Sequence, residues 1–277
     1  MIYQIVKIVS NTYTVENNKK RIDCTARGVF KNKKITPLVG DLCKIDLNNK
    51  QIIEILHRKN QLKRPNVSNI DYAIIVSSVK KPDLSLNLID KMISSIILNN
   101  IEPIIYFSKM DLLNNKEKRY IKSIAKYYKK LNIKVVFNNK LFKLKRILKN
   151  KIAILCGQTG AGKSSLLNKL DKSLNLKTNE ISLSLNRGVH TTTHTELYHV
   201  SNFLLADTPG FSSLDLSEYT KEQIRDSFIE FNKMECSYKD CMHKNERICA
   251  IKDSVNKNKI LKSRYDNYLK FIEEAKK

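Results

Sequence analysis

Residues 157–164 read Gly-Gln-Thr-Gly-Ala-Gly-Lys-Ser and follow the apolar run 152–156. The glycines allow unusual backbone dihedrals and close approach, so backbone N–H groups can surround a chain of phosphates. Lys163 would place its charge at the β and γ phosphates, Ser164 would offer a hydroxyl to Mg²⁺, and the following helix N-terminus adds positive charge. Strand, turn and helix in this order predict a phosphate-binding loop rather than a glycine-rich turn without ligand. The residues predicted to contact nucleotide here are Gly157, Gln158, Thr159, Gly160, Ala161, Gly162, Lys163, Ser164 and Ser165.

A second motif, Asp207-Thr208-Pro209-Gly210, follows the apolar run 203–206. An Asp that leaves a buried strand opposite a phosphate-binding loop can hold the Mg²⁺ shell, and a nearby glycine N–H can meet a γ-phosphate. Asp, Pro and Gly all favour turns, so the four residues alone would indicate only a turn. After a phosphate-binding loop, they predict that Asp207 and Gly210 belong to the nucleotide site.

The segment Ser108-Lys109-Met110-Asp111 follows the apolar run 103–107. In P-loop GTPases an Asn-Lys-x-Asp sequence binds guanine, because the Asp carboxylate accepts two N–H groups from the base and the Lys stem lies along it. Adenine has no matching pair of donors and would leave the carboxylate unsatisfied. Ser108 stands where Asn is usual, and the position at a strand end predicts that all four residues bind the base.

The order of the three motifs is unusual, because the base-binding segment precedes the phosphate-binding loop. The same sheet can form if the chain is circularly permuted, which is tolerated where the joined ends are exposed and close together. In this order the segment 207–210 leads directly into the C-terminal region. It could therefore transmit the nucleotide state to that region.

Residues 187–194, between the phosphate-binding loop and Asp207, read Arg-Gly-Val-His-Thr-Thr-Thr-His. A threonine here commonly completes the Mg²⁺ shell, so Thr192 and Thr193 are predicted ligands; a β-prone lead into a strand is the alternative. Phe211 stands where Ras-like proteins have the glutamine that orients water, which a phenyl ring cannot do. His190 is the candidate for this catalytic role, and a structural histidine is the alternative.

Three cysteines and one histidine lie within fourteen residues of the C-terminal region, spaced Cys-x4-Cys-x-His-x5-Cys. Three thiolates and one imidazole can form the closed tetrahedral shell of a structural zinc ion. Disulfides are not expected in a cytoplasmic chain, and free buried thiols are the alternative. Basic amphipathic helices are predicted on both sides, at about 221–233 and 256–276. The predicted zinc ligands are Cys236, Cys241, His243 and Cys249.

The periodicity of the chain predicts the elements that position these motifs. The first sixty or so residues alternate apolar and polar side chains, which fits an OB-like barrel or an SH3-like barrel. Beyond them, short apolar runs alternate with helical spacing, which predicts a parallel sheet covered on both faces. The predicted barrel strands are 2–6, 13–15, 22–26, 42–45 and 52–56. The predicted later elements are strands 72–76, 103–107, 135–137 and 152–156 and helices 86–97, 116–130 and 141–148.

Composition restricts the class of protein. The 277 residues include 51 Lys or Arg and 27 Asp or Glu, which favours a phosphate-rich partner, although the abundance of Lys, Asn and Ile also indicates a coding bias. Residues 115–151 hold 14 Lys or Arg and one acid, Glu117, as either a solvated face or a phosphate-docking face. No apolar run approaches the roughly 20 residues of a membrane helix, and the start lacks the layout of a signal peptide. We therefore expect a soluble, cytoplasmic protein without membrane contact.

The combination of motifs resembles the small ribosomal subunit biogenesis GTPases of the RsgA (YjeQ) type over almost the whole chain. It consists of Pro-Leu-Val-Gly-Asp at 37–41, SKMD, GQTGAGKS, GVHTTT and DTPGF in permuted order, and the Cys-Cys-His-Cys cluster. The sequence departs from the family pattern at three places: Ser108 replaces Asn, Val189 replaces an Arg, and Phe-Asn-Asn at 137–139 is a poor match to the usual Ser-Ala loop behind the base.

The resemblance implies a multidomain chain, with an N-terminal OB-fold RNA-binding domain at 1–63, a circularly permuted α/β GTPase domain at 64–213 and a mainly helical zinc-binding domain at 214–277. It implies GTP with Mg²⁺ as substrate and one structural Zn²⁺. It further implies a monomer that binds the 30S subunit and 16S rRNA and assists late subunit maturation with subunit-stimulated GTPase activity.

Two other functions fit the phosphate-binding loop. A small-molecule kinase or ATPase would bind ATP and GTP equally well, and Asp111→Ala would change neither affinity. An RNA-binding module with a vestigial nucleotide site would show no turnover even with RNA or ribosomes present.

Overall fold

The structure, a computed structural model, describes residues 1–26, 30, 36–62, 66–174, 196–206 and 216–276. The chain forms two compact units, each assembled from separated stretches. The first comprises Met1–Ile74, Lys140–Leu155 and Lys163–Phe211, and the second comprises Ile75–Asn139, Cys156–Gly162 and Ser212–Lys277.

The N-terminal strands form a closed five-stranded barrel. They are β1 (Ile2–Val9), β2 (Thr12–Asn17), β3 (Lys20–Ala26), β4 (Leu42–Asp46) and β5 (Gln51–Ile55). Their order is β1-β2-β3-β5-β4, and β3 and β5 are the parallel pair. Alternate side chains of the strands point inward, and together with Phe30 they form a core of Tyr3, Ile5, Val15, Cys24, Cys43 and Ile52. This architecture confirms the predicted strands and the OB-like barrel.

A short ladder, β6 (Gln61–Leu62) with β7 (Val67–Ser68), follows the barrel, and a six-stranded sheet comes next. The sheet strands are β8 (Tyr72–Ser78), β9 (Glu102–Ser108), β10 (Lys134–Phe137), β11 (Ile152–Cys156), β12 (Leu197–Val200) and β13 (Phe203–Ala206). Their order is β10-β9-β8-β11-β13-β12. The pairs β10–β9 and β11–β13 are parallel, whereas β12 and β13 form an antiparallel hairpin. Every residue of β11 is buried, as expected of a strand covered on both faces.

The helices of the described ranges begin at residues suited to this role. Ser85 caps α1 by accepting from the Leu88 N–H, and Asn114 and Glu117 form a capping box at the start of α2. The helices are α1 (Leu86–Leu98), α2 (Asn115–Lys130), α3 (Leu141–Leu148), α4 (Lys163–Leu170), α5 (Lys221–Asp226), α6 (Ala250–Asn256) and α7 (Lys262–Glu274). Short 3-10 helices occur at Met110–Leu112, Lys172–Leu174 and Phe231–Lys233. None of the described helices combines the length and apolar character needed to cross a bilayer.

The C-terminal helices are shorter than their sequence pattern predicts. The stretch 221–233 contains α5 and a 3-10 turn, because the chain bends after Ser227 and buries both Phe228 and Phe231. The predicted helix 256–276 begins only at Lys262. Asn258 has a φ of +55°, a left-handed conformation that ends α6 and that asparagine adopts readily.

Candidate nucleotide site and metal centre

The phosphate-binding loop leaves β11 through a close backbone contact. Gly157 has a φ of +135°, and a Cβ atom at this position would lie 2.2 Å from the carbonyl oxygen of Val76 on β8. Only glycine fits such a position without displacement of β8. Gly160 and Gly162 also have positive φ angles, of +76° and +98°. The loop therefore has the backbone that the motif predicts, with Thr159 and Gly160 exposed.

The predicted base-binding segment is anchored to this loop. Ser108, the last residue of β9, is 6% exposed, and its hydroxyl donates to the carbonyl oxygen of Ala161 across 2.6 Å. Lys109 adopts a left-handed conformation and its ammonium group donates to the carbonyl oxygen of Gly160 across 2.9 Å and to that of Lys81. These contacts fix the position of the segment relative to the phosphate-binding loop. They also give the serine at position 108 a role that a short side chain can perform.

The carboxylate of Asp111 accepts a hydrogen bond from a residue that lies outside the predicted site motifs. Asn138, just after β10, donates from its side-chain amide to Asp111 across 3.0 Å, and its backbone N–H donates to the carbonyl oxygen of Phe107. Asp111 is exposed, as a base-binding carboxylate must be before ligand binds. The position of Asn138 at the carboxyl end of a strand next to β9 was the available signal.

Helix α4 carries the predicted phosphate and magnesium ligands that follow the loop. Ser164 is buried, Lys163 is half-buried and Ser165 is exposed. Strand β13 runs parallel to β11 and ends at Ala206, directly before Asp207. The predicted residues Asp207, Gly210, His190, Thr192 and Thr193 lie outside the described residues, so their roles stay predictions.

The four predicted metal ligands come together in the second unit. Their ligand atoms all lie within 4.8 Å of one another. The Sγ atom of Cys249 lies 3.9 Å from those of Cys236 and Cys241 and 3.4 Å from Nδ1 of His243. Around a tetrahedral ion with zinc-like bond lengths, neighbouring sulfur atoms are about 3.8 Å apart, and sulfur and nitrogen are about 3.5 Å apart. The cluster therefore has the dimensions of a metal centre.

Helix α7 and the chemistry of the ligands support this cluster. The hydroxyl of Tyr265 donates to the carbonyl oxygen of His243, and that of Tyr268 donates to the carbonyl oxygen of Met242, each across 2.5 Å. Burial raises the pKa of the Cys241 thiol to about 12 and lowers the pKa of His243. A bound cation would favour the thiolate and the neutral imidazole and so offset the cost of burying the thiolate. The two tyrosines hold the ligand loop from α7, a support that the cysteine spacing alone did not indicate.

Known protein families match both the barrel and the nucleotide-binding region of this chain. The family described as the RsgA N-terminal domain matches residues 4–52, and the family described as the RsgA GTPase matches residues 55–217. A relative from Oceanobacillus iheyensis, named small ribosomal subunit biogenesis GTPase RsgA 2, is 44% identical over 98% of this chain and 96% of its own. A relative from Pediococcus pentosaceus, named small ribosomal subunit biogenesis GTPase RsgA, is 42% identical over 98% of this chain and 91% of its own.

Two solved structures are similar to almost the whole chain. YjeQ from Thermotoga maritima has a TM-score of 0.84 at 32% identity and covers 99% of this chain and 97% of its own. YloQ, described as a circularly permuted GTPase, has a TM-score of 0.82 at 32% identity and covers 99% of this chain and 94% of its own. The base-binding segment after β9 also precedes the phosphate-binding loop after β11, as circular permutation predicts. This chain belongs to the RsgA family of circularly permuted GTPases.

Proposed function

We propose that this chain binds GTP with Mg²⁺, hydrolyses it to GDP and phosphate, and thereby assists late maturation of the small ribosomal subunit. The observation that carries this proposal is the attachment of the base-binding segment to the phosphate-binding loop. Ser108 and Lys109 donate to the backbone of Ala161 and Gly160, so the base-binding segment is held against the phosphate-binding loop.

Each predicted site residue has a proposed role. Gly157 to Ser165 surround the phosphates, and residues 108–111 form the guanine-binding segment, in which the Asp111 carboxylate pairs with the base. Asp207 helps to hold the Mg²⁺ shell, and the Gly210 N–H meets the γ-phosphate. Ser164, Thr192 and Thr193 are the proposed magnesium ligands, and His190 is the proposed orienting group for water.

The chain is proposed to act as three functional domains. Residues 1–63 would bind RNA, residues 64–213 would hold the nucleotide and residues 214–277 would hold one structural Zn²⁺. Zinc is the proposed metal because the ligand set of three thiols and one imidazole suits it and leaves no open position for catalysis. The metal would then contribute folding energy to the C-terminal domain.

The proposed partner is the 30S subunit, through 16S rRNA. Relatives at 40–44% identity carry names that state small ribosomal subunit biogenesis, and the net charge of +24 suits an RNA partner. We also propose that the protein is cytoplasmic and that it acts as a monomer. Analytical ultracentrifugation would test the monomeric state.

The decisive experiment measures GTP and ATP turnover with and without 30S subunits. We expect GTP turnover to rise strongly with 30S subunits and ATP turnover to stay low. Asp111→Asn should reduce the preference for GTP over ATP, whereas Asp253→Asn, at an exposed carboxylate on α6, should not. Equal use of ATP and GTP by the wild type, or no response to any ribosomal particle, would contradict the proposal.

A further inference from the structure

Helix α2 has one apolar face and one basic face. Its 16 residues include seven Lys or Arg and a single acid, Glu117. The buried side chains are Ile121, Ile124, Ala125 and Tyr128. With about 3.6 residues per turn, the exposed cations fall on the opposite side of the helix. These cations, hereafter the α2 basic face, are Lys116, Arg119, Lys122, Lys126, Lys129 and Lys130.

The α2 basic face lacks acidic partners. None of its six cations lies within 4.0 Å of a carboxylate in the part of the chain that the structure describes. The acid of this helix, Glu117, caps the helix and pairs with Lys80 across 3.0 Å. Helix α7 of the same unit differs, because its exposed face mixes both signs. The pairs made by α7 are Lys262–Asp266, Lys91–Glu274 and Lys244–Glu273.

We propose that the α2 basic face docks on the phosphate backbone of small-subunit RNA, an inference that rests on the proposed function. From Lys116 to Lys130 the face extends about 21 Å, enough to follow several consecutive phosphates. Protein interfaces are depleted in Lys, whereas phosphate contacts use Lys and Arg. A face of cations alone positions RNA without recognising its sequence. The nucleotide-binding region thus makes its own contact with the subunit, through a helix outside the nucleotide site.

The test compares two full-length variants with the same change in charge. In the first, Arg119, Lys122 and Lys126 are replaced by Gln. In the second, Lys262, Lys270 and Lys276, on or just after α7, are replaced by Gln. Binding to 30S subunits and to deproteinised small-subunit RNA is measured over a series of salt concentrations, and GTP affinity and thermal unfolding verify that both variants fold.

We expect the α2 variant to bind RNA at least about tenfold more weakly than wild type and to lower the slope of log K against log salt by about 2 to 3. The α7 variant should bind within about twofold of wild type. Equal losses in the two variants, or no loss in either while the wild type binds, would overturn the inference and leave the proposed function intact. The inference would also be overturned if the α2 variant lost binding to phosphatidylglycerol vesicles but bound RNA as tightly as the wild type does. Failure of the wild type to bind subunits and RNA would instead overturn the proposed function.

Discussion

The guanidinium group of Arg264 donates to the carboxylate of Asp90 across 2.7 Å, and both side chains are completely buried. The two residues are 174 positions apart and join α7 to α1. Arg264 also donates to Glu230, and Asp90 also accepts from the hydroxyl of Tyr128 across 2.7 Å. Burial opposes the charge on Arg264, but the carboxylates of Glu230 and Asp90 outweigh burial and hold its pKa well above the usual value. Since Asp90 and Tyr128 belong to the nucleotide-binding region, this network attaches the C-terminal helices to it.

Loss of the Arg264 side chain should severely destabilise the protein. Arg264→Ala leaves two carboxylates buried without a cation, and such a change costs about 3 to 5 kcal/mol of unfolding free energy. Urea unfolding, followed by circular dichroism, measures this loss. Lys262→Ala is the matched control, because Lys262 lies on the same helix with its side chain 78% exposed. It should change stability by less than about 1 kcal/mol. Equal effects of the two substitutions would contradict the importance of the network.

Substitution of Gly157 should damage the fold as well as nucleotide binding. The Cβ atom of Gly157→Ala would meet the Val76 carbonyl oxygen at 2.2 Å, and the residue would keep an unfavourable φ. We expect a loss of at least about 2 kcal/mol of unfolding free energy. Gly160→Ala is the control, because the nearest atom to its Cβ is the Pro82 Cδ at 3.6 Å. A stability for Gly157→Ala as high as for Gly160→Ala would refute the steric argument.

The motifs that were predictable from the sequence are local ones. The phosphate-binding loop and the Cys-His cluster each occupy one short continuous stretch of sequence, so residue type and spacing suffice to identify them. The partner of Asp111 was not predictable in this way, since Asn138 is 27 residues away and approaches only when β9 and β10 pair. Likewise, nothing in the sequence around Arg264 indicates that this one of many cationic residues is buried.

The barrel shows a similar limit. Alternation of apolar and polar residues predicted its five strands, but an OB-like and an SH3-like barrel share that alternation. What separates them is strand order, and the parallel contact of β3 with β5 depends on tertiary pairing. The start of α7 was predicted too early for a different reason, because Asn258 fits a helical pattern by composition but has a left-handed backbone conformation.

Removal of the metal should unfold the C-terminal region selectively. Metal binding supplies much of the folding energy of small zinc modules, so a chelator or Cys241→Ser should expose the α7 amides, including those of Tyr265 and Tyr268, to hydrogen exchange. Metal analysis of the purified protein should find zinc in the wild type and little in Cys241→Ser. Cys24→Ser, in the barrel core, is the control and should retain the metal. Full zinc retention by Cys241→Ser would exclude the cluster as the metal site.

The contact between the barrel and β12 should depend on pH through Glu16. Its carboxylate lies 2.9 Å from Arg21 and 2.6 Å from Nε2 of His199. Burial alone would raise the pKa of Glu16, but the hydrogen bonds to Arg21 and His199 outweigh burial and lower it. Because the folded-state pKa lies below the unfolded value of about 4.3, this stabilisation is present above that pH and is lost as pH falls through the folded pKa.

Glu16→Gln should therefore reduce stability by about 1 kcal/mol at pH 7, and its difference from wild type should shrink below about pH 4. Urea unfolding at a series of pH values measures this difference. Glu54→Gln breaks a pair with Lys44 in which both side chains are about half exposed, and it should have a smaller effect. A difference between Glu16→Gln and wild type that stays constant as the pH falls from 7 to well below 4 would contradict this account.

Substitutions at Ser108 and at Asp111 should have different effects, the first on nucleotide affinity and the second on base selectivity. The hydroxyl of Ser108 donates to the carbonyl oxygen of Ala161, so Ser108→Ala loses one buried hydrogen bond, worth about 1 kcal/mol or about fivefold in affinity. It should weaken GTP and ATP binding alike and leave their ratio unchanged. Asp111→Asn should instead weaken GTP binding much more than ATP binding, because the carboxylate that pairs with guanine is lost. Equilibrium binding of fluorescent GTP and ATP analogues measures both ratios. A fall in the GTP-to-ATP preference of Ser108→Ala as large as that of Asp111→Asn would show that the serine contacts the base, and its bond to the phosphate-binding loop would not explain its presence.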